Sequence, residues 1–406
     1  MRLSASLLVI IVCILLIIWA GRIGISQALA RYSFLTHSIP AAAEAVRLSP
    51  SNADAHRALA TTFRNVQMYR EAEQELSRAA SLRPDDDLIW LDLGSARDQL
   101  DDPQGALSAL DQAVSRAPYY AHTHWERANV RLRMGRYDEA FPELRAAAVS
   151  NRTYLPTLID LAWGLSRGDA KLTEQLAGIE SEQSRIAFAR YLASKGKGTE
   201  VLEQFNLAAS SFSEDQKRQL IRSLMAAHEY EAALAIWSGS NSATTQICDG
   251  GFEGQIGYGE SGFGWSIPRQ TNVEVSLDSS DKETGSKSIR VAYNGNSPSN
   301  SPVVSQTVVV KSSQRYRVNF AVKAKGIVTG GLPLLSVTDA TNEALLSKLN
   351  LPQDSATWQK QSIEITTPAS CKAIVVRLVR NECQSNPCPI FGVLWFDSFS
   401  IEEIKK

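Results

Sequence analysis

Histidine is scarce in this chain: there are 5, and none follows His228. A zinc finger in the C-terminal part would therefore lack histidine ligands, and the spacing of Cys248, Cys371, Cys383 and Cys388 matches no common finger. An excess of either charge is also missing, with 42 Lys and Arg against 43 Asp and Glu. Without a basic face the chain has no electrostatic footprint for nucleic acid, so that partner is set aside. A carboxylate pair at glycosidase spacing, a Ser-His-Asp set and a phosphate loop are all lacking. The sequence is accordingly read as non-catalytic, with no catalytic residue and no cofactor-binding residue. Long apolar runs are missing everywhere except at the start.

Leu3 to Gly21 is apolar apart from Ser4 and Ser6. As helix this stretch spans about 28 Å, close to the roughly 30 Å hydrocarbon core. Residues 3–21 are read as a transmembrane anchor. A cleavable signal peptide is the rival, but its small-x-small pair, Ala28-Leu29-Ala30, comes late, and Cys13 lacks the small residues that a lipoprotein signal needs. Arg2 and Arg22 flank the segment evenly, so the positive-inside rule gives no direction. Cysteine placement does. Cys248, Cys371, Cys383 and Cys388 form an even set in one region, which suggests disulfides and an oxidising compartment. Cys383 and Cys388 flank a short turn-rich loop that a bridge would close, and reduced structural cysteines are the alternative. The expected topology is a single pass of the inner membrane, with the bulk of the chain in the periplasm.

What is present in quantity is a period of 34. Ala72, Ala106 and Ala140 align, as do Leu76, Leu110 and Leu144, and then Ala79, Ala113 and Ala147. Pro50, Pro84 and Pro118 close successive units, and Ala60, Gly94, Ala128 and Ala162 share one small position. Small residues let antiparallel helices approach closely, leucines fill the groove, and proline stops the second helix. These positions resemble the tetratricopeptide repeat, a helical-hairpin solenoid, which implies a surface for a protein partner. A degenerate first unit begins near Arg22, with Ser26, Ser38, Ala42 and Ala45 in register. Arg127 replaces the usual Leu of the fourth unit, which also lacks its closing proline.

The helical pattern continues to Gly239, giving a solenoid over 22–239 and a polar linker over 240–246. His122 and His124 lie two apart and so point to different faces, which suits a helix start better than a metal pair. The run Asp85 to Asp87 is read as solvated N-capping charge, and Arg116 as solvated.

From residue 247 to 404 the period changes to two, as in Tyr316, Val318, Phe320 and Val322. About eight strands separated by Gly, Ser, Asn and Pro predict an all-β sandwich. The order Asp249-Gly250-Gly251-Phe252-Glu253, Gly262-Phe263-Gly264-Trp265, Thr357-Trp358-Gln359 and Trp395-Phe396-Asp397 resembles the galactose-binding-like jelly roll of carbohydrate-binding modules. That resemblance implies a structural calcium with Glu253 and Asp397 as metal ligands; the alternative is that both carboxylates hold loops. It also implies a core role for Trp265, Trp358 and Trp395. Tyr258, Tyr293 and Asn294 stand in Gly-rich stretches read as loops and are the candidate ligand-binding residues.

The expected fold is thus multidomain: one transmembrane helix, an all-α tetratricopeptide-type solenoid, and an all-β jelly roll. This combination resembles accessory proteins of exopolysaccharide systems, and implies a membrane-anchored scaffold whose solenoid binds protein and whose sandwich touches polysaccharide. A pure protein-interaction scaffold with no sugar binding is the alternative.

Overall fold

A computed structural model describes residues 2–239, 245–256, 262–297, 299, 301–383 and 387–405, with side chains from Leu7 onward. Two compact units divide it, Met1–Ile179 and Glu180–Lys406. Each is taken by itself. The expected linker at 240–246 lies mostly outside the described residues.

The first unit is ten helices in hairpin pairs: α1 (Arg2–Thr36) with α2 (Ile39–Leu48), α3 (Ala53–Asn65) with α4 (Tyr69–Leu82), and α5 (Asp87–Gln99) with α6 (Pro103–Arg116). Next come α7 (Ala121–Arg133) with α8 (Tyr137–Ser150), and α9 (Leu155–Leu165) with α10 (Ala170–Ala177). The 34-residue register is the packing register. Ala72, Ala106, Ala140, Leu76, Leu110, Leu144, Ala79, Ala113 and Ala147 are all buried. The shared small position has a direct steric cause: a Cβ on Gly94 would stand 2.6 Å from Leu110 Cγ and 3.2 Å from the Ala106 carbonyl oxygen. Turns between paired helices use a left-handed residue at the same register, Gln67, Asp101 and Gly135. Asn52 and Asp86, 34 apart, each cap a first helix through the side chain, so Asp86 of the acidic run does serve as a cap.

The irregular fourth unit keeps the fold by other means. Arg127 is mostly buried at the Leu position, and its guanidinium pairs with Asp111 and Glu143. In place of the missing proline, α8 ends at Asn151, whose side chain accepts the Thr153 amide. Helix α1 runs unbroken from the apolar segment into the first hairpin. Leu7 to Trp19 carry exposed apolar side chains, whereas Ser26, Ala30 and Ser33 are buried, and Ser26 Oγ donates to the Ala45 carbonyl at 2.7 Å.

The second unit begins with two more hairpins, α11 (Glu182–Ser194) with α12 (Gly198–Leu207) and α13 (Glu214–Ala226) with α14 (Tyr230–Ser238). Nine strands follow among the described residues: β1 (Val273–Asp278), β2 (Ser288–Asn296), β3 (Val304–Val309), β4 (Arg315–Thr329), β5 (Pro333–Asp339), β6 (Leu345–Asn350), β7 (Gln359–Thr366), β8 (Ala373–Arg380) and β9 (Pro389–Glu403). They form a five-stranded sheet, β1-β2-β9-β4-β7, and a four-stranded sheet, β3-β8-β5-β6. All pairings named between these strands are antiparallel, and β2 to β9 follow the strand order of a jelly roll. The core between the sheets holds Phe252, Trp265, Ile289, Val318, Phe320, Leu394 and Phe396. Tyr230 of α14 donates its hydroxyl to the Ala340 carbonyl at 3.0 Å, and the Trp237 ring lies edge-on to Phe263, so the last helix packs on the sandwich.

Candidate interaction surfaces

In the second, third and fourth repeats one position of the first helix carries a ring that reaches back to the proline ending the previous repeat. Trp90 Nε1 donates to the Pro84 carbonyl at 2.7 Å. His56 Nε2 meets the Pro50 carbonyl at 2.9 Å, and His124 Nε2 meets that of Pro118 at 2.8 Å. Residues 56, 90 and 124 are again 34 apart. Arg22 stands one period earlier on α1 and donates to the Leu48 carbonyl. In the second and fourth repeats the other ring nitrogen meets a glutamate, His56 with Glu75 at 2.5 Å and His124 with Glu143 at 2.6 Å. The Glu75 hydrogen bond raises the His56 pKa against the opposing effect of burial. Burial disfavours charge on Glu143, yet Arg127 and His124 outweigh it and hold that carboxyl below the ordinary range. His122 does face away from His124, toward the Tyr154 hydroxyl at 3.3 Å. Arg116 is half-exposed and also makes specific contacts: it donates to the Pro84 carbonyl and lies over the Trp90 ring at 5.4 Å.

Successive first helices share a half-exposed face. Arg57 and Arg64 of α3 both donate to Asp92 of α5, at 2.7 and 2.9 Å, and Arg64 also reaches Ser95. Asp98 of α5 pairs with Arg133 of α7. Trp125 of α7, two periods after Arg57, stacks on Tyr154 at 4.6 Å between centroids. The face offers charge of both signs, amides, hydroxyls and rings. Such a surface suits a peptide or protein.

In the sandwich the candidate ligand-binding residues separate. Tyr258 lies outside the described residues. Tyr293 is not in a loop: it sits in β2, 2% exposed, with its hydroxyl unpartnered and its pKa raised by burial. Alternation decides this, because Ile289, Val291 and Tyr293 point one way into the core, while Asn294 is exposed. Glu253 accepts the Ser286 amide at 2.7 Å, the Lys287 amide at 3.2 Å and the Ser286 hydroxyl. Asp397 accepts the Glu283 and Thr284 amides, both at 2.9 Å, and the Ser398 amide. Both carboxylates therefore grip the 283–287 loop. Oxygens turned to N–H donors do not fit a hard cation that needs six or more ligands, and among the described residues no metal-holding group of three His, Cys, Asp or Glu is gathered.

Of the four disulfide candidates, Cys383 and Cys388 are bonded to each other, while Cys248 and Cys371 are free. Cys371 is buried, its thiol donates to the Ala373 carbonyl, and burial with nearby Asp339 pushes its pKa up to about 12. Among the tryptophans, Trp265 is core as expected, donating to the Asp249 carbonyl beside Phe252 and Phe399. Trp395 and Trp358 are not between the sheets. Trp395 alternates with core Leu394 and Phe396, so it caps the outer face of the five-stranded sheet and donates to Asp278 at 2.9 Å. Trp358 is half-exposed and donates to Asp281, which also pairs with Lys323 at 2.7 Å. Hydrogen bonds from the Ser280 hydroxyl, the Trp395 indole and two amides lower the Asp278 pKa to about 2. On the same outer face Asn319, Lys360, Ser362 and Ser398 line a shallow groove of about 350 Å³. Sequence reasoning missed this cluster because Trp358 and Trp395 stand at positions that are usually core in such folds.

No family model matches the sequence, and neither does any curated protein. Among solved structures, a crystal structure of MamA protein is similar at 17% identity and a TM-score of 0.33, over 48% of this chain and 94% of that one. PilF of Pseudomonas aeruginosa is similar at 15% identity and a TM-score of 0.32, over 55% of this chain and 90% of that one. A MamA RS-1 double mutant follows at 13% identity and a TM-score of 0.34, over 38% and 90%. At these values the repeat assignment rests on the chain's own register and packing.

Proposed function

We propose that this protein is a non-catalytic, membrane-anchored scaffold in the assembly or export of a surface polysaccharide, with the solenoid holding a protein and the sandwich touching glycan. The ladder joining α3, α5 and α7 carries the reading, because it makes the first helices one continuous half-exposed face with mixed polar chemistry. A repeat solenoid offers such a face for binding and gathers no reacting groups on it. Helix α1 would supply the anchor, and the free apolar surface of Leu7 to Trp19 suits lipid. For the sandwich, the half-exposed Trp358 ring, flanked by Asp281 and Lys323, offers the stacking and polar contacts that a pyranose uses. The test is co-purification of the full chain from its own membranes. Ser95→Arg with Asn129→Arg on the shared face should lose a discrete bound protein that Ser108→Arg, on an exposed face of α6, retains. Retention by both variants would overturn the assignment of that face.

A further inference from the structure

Arg380 ends strand β8 beneath the Cys383–Cys388 bridge and is 1% exposed. Its Nη2 lies 2.6 Å from Cys388 Sγ and 3.5 Å from Cys383 Sγ, and donates to Thr329 Oγ1 at 3.0 Å. Nη1 donates to the carbonyl and hydroxyl of Ser297, at 3.2 and 3.3 Å, and Nε has no partner. All of these partners are neutral. A buried guanidinium with no counterion among the described residues keeps a desolvation cost that neutral acceptors offset only in part. The sulfurs are also closely seated: a Cβ on Gly330 or Gly331 would come within 3.2 Å of Cys383 Sγ.

Reduction would change the charge balance in one step, because a thiolate formed at Cys388 becomes the anion that Arg380 lacks. We propose that Cys383–Cys388 is a thiol–disulfide exchange site, taking a dithiol as its reductant, whose reduced form is held by Arg380 with Cys388 as thiolate. A thiolate of the dithiol attacks Cys383 Sγ, the S–S bond breaks, and its electron pair passes to Cys388 Sγ beside the guanidinium. The second thiol of the reductant then displaces Cys383, and the reductant leaves as a disulfide. Two electrons pass to the protein. One of the reductant's two protons ends on Cys383 and the other goes to solvent. A stabilised reduced form makes a disulfide easier to reduce, and a neighbouring arginine lowers a thiol's pKa.

The decisive measurement uses the full chain in detergent, with Cys383→Ser leaving Cys388 beside an intact Arg380. Alkylation of Cys388 by iodoacetamide, followed by peptide mass spectrometry across pH, should reach its half-maximal rate at least one unit below the ~8.5 of a free thiol. A midpoint at or above that value overturns the proposal, whether or not any arginine variant folds. With the bridge intact, a dithiothreitol titration should require roughly tenfold more reduced over oxidised reagent for Arg380→Gln than for the wild type. Equal titrations in wild type and a folded Arg380→Gln protein would overturn it as well.

Discussion

His56 is held at both ring nitrogens by acceptors, the Glu75 carboxylate and the Pro50 carbonyl, so the doubly protonated imidazolium satisfies both at once. Its pKa is raised in the folded state, chiefly by Glu75. The sign follows from linkage: stability from this group is fully present below the unfolded value of about 6.5 and is lost as pH rises through the folded value. Denaturant melts of the 22–406 fragment should therefore show the advantage of wild type over His56→Gln shrinking as pH rises above about 6.5. An advantage that grows with pH would mean that the ring is held neutral. At this scale little of the chemistry was legible beforehand. His56, Trp90 and His124 share a role but not a residue type, so an identity-based register passes over them. Arg127 looked like a defect of the repeat because its two carboxylate partners, Asp111 and Glu143, lie sixteen residues away on either side.

Helices were legible where steric demand repeats. The small position recurs because nothing larger than a methyl fits there: Ala60, Ala128 and Ala162 are fully buried, and at Gly94 Leu110 and the Ala106 carbonyl leave no room even for a Cβ. Ala106→Leu should accordingly overpack the α5–α6 contact and cost about 1–3 kcal/mol in denaturant melts, whereas Ser108→Leu, exposed on the same helix, should cost far less. Equal losses at the two sites would mean that the 34-residue register does not set the packing. Strands were legible where one face is buried, as in β4 and β8. β6 carries no such signal, because Leu345 to Asn350 form an edge strand with no fully buried position, so no alternation marks it. The sandwich site was the least legible part. Tyr293 and Trp395 exchange their expected sides because a Gly-rich neighbourhood does not end β2, which runs on through Gly295, and because a jelly roll has two faces that each accept aromatic rings.

At the scale of the molecule, the continuity of α1 bears on whether the N-terminal segment is retained. A segment long and apolar enough to span a membrane and the first repeat helix share one unbroken helix, and Ser26, Ala30 and Ser33 on it are buried in the first hairpin. Cleavage after Ala30 would remove Ser26 and its bond to the Ala45 carbonyl, and would uncover Ala45, Ala55 and Ala58, which cluster with Ala30. An anchor that is kept avoids that loss and joins the solenoid to the bilayer without a flexible tether. Two results are expected together. Protein isolated from its own membranes should retain residues 1–21 by N-terminal peptide mass spectrometry, and a C-terminal alkaline phosphatase fusion should be active, placing the disulfide-bearing region in an oxidising compartment. In melts, a soluble fragment starting at Arg22 should be clearly more stable than one starting at Arg31, because only the first keeps the Ser26 contact. A mature chain that begins at Arg31 and is as stable as the longer fragment would replace the anchor with a cleaved signal. A silent phosphatase fusion would reverse the orientation.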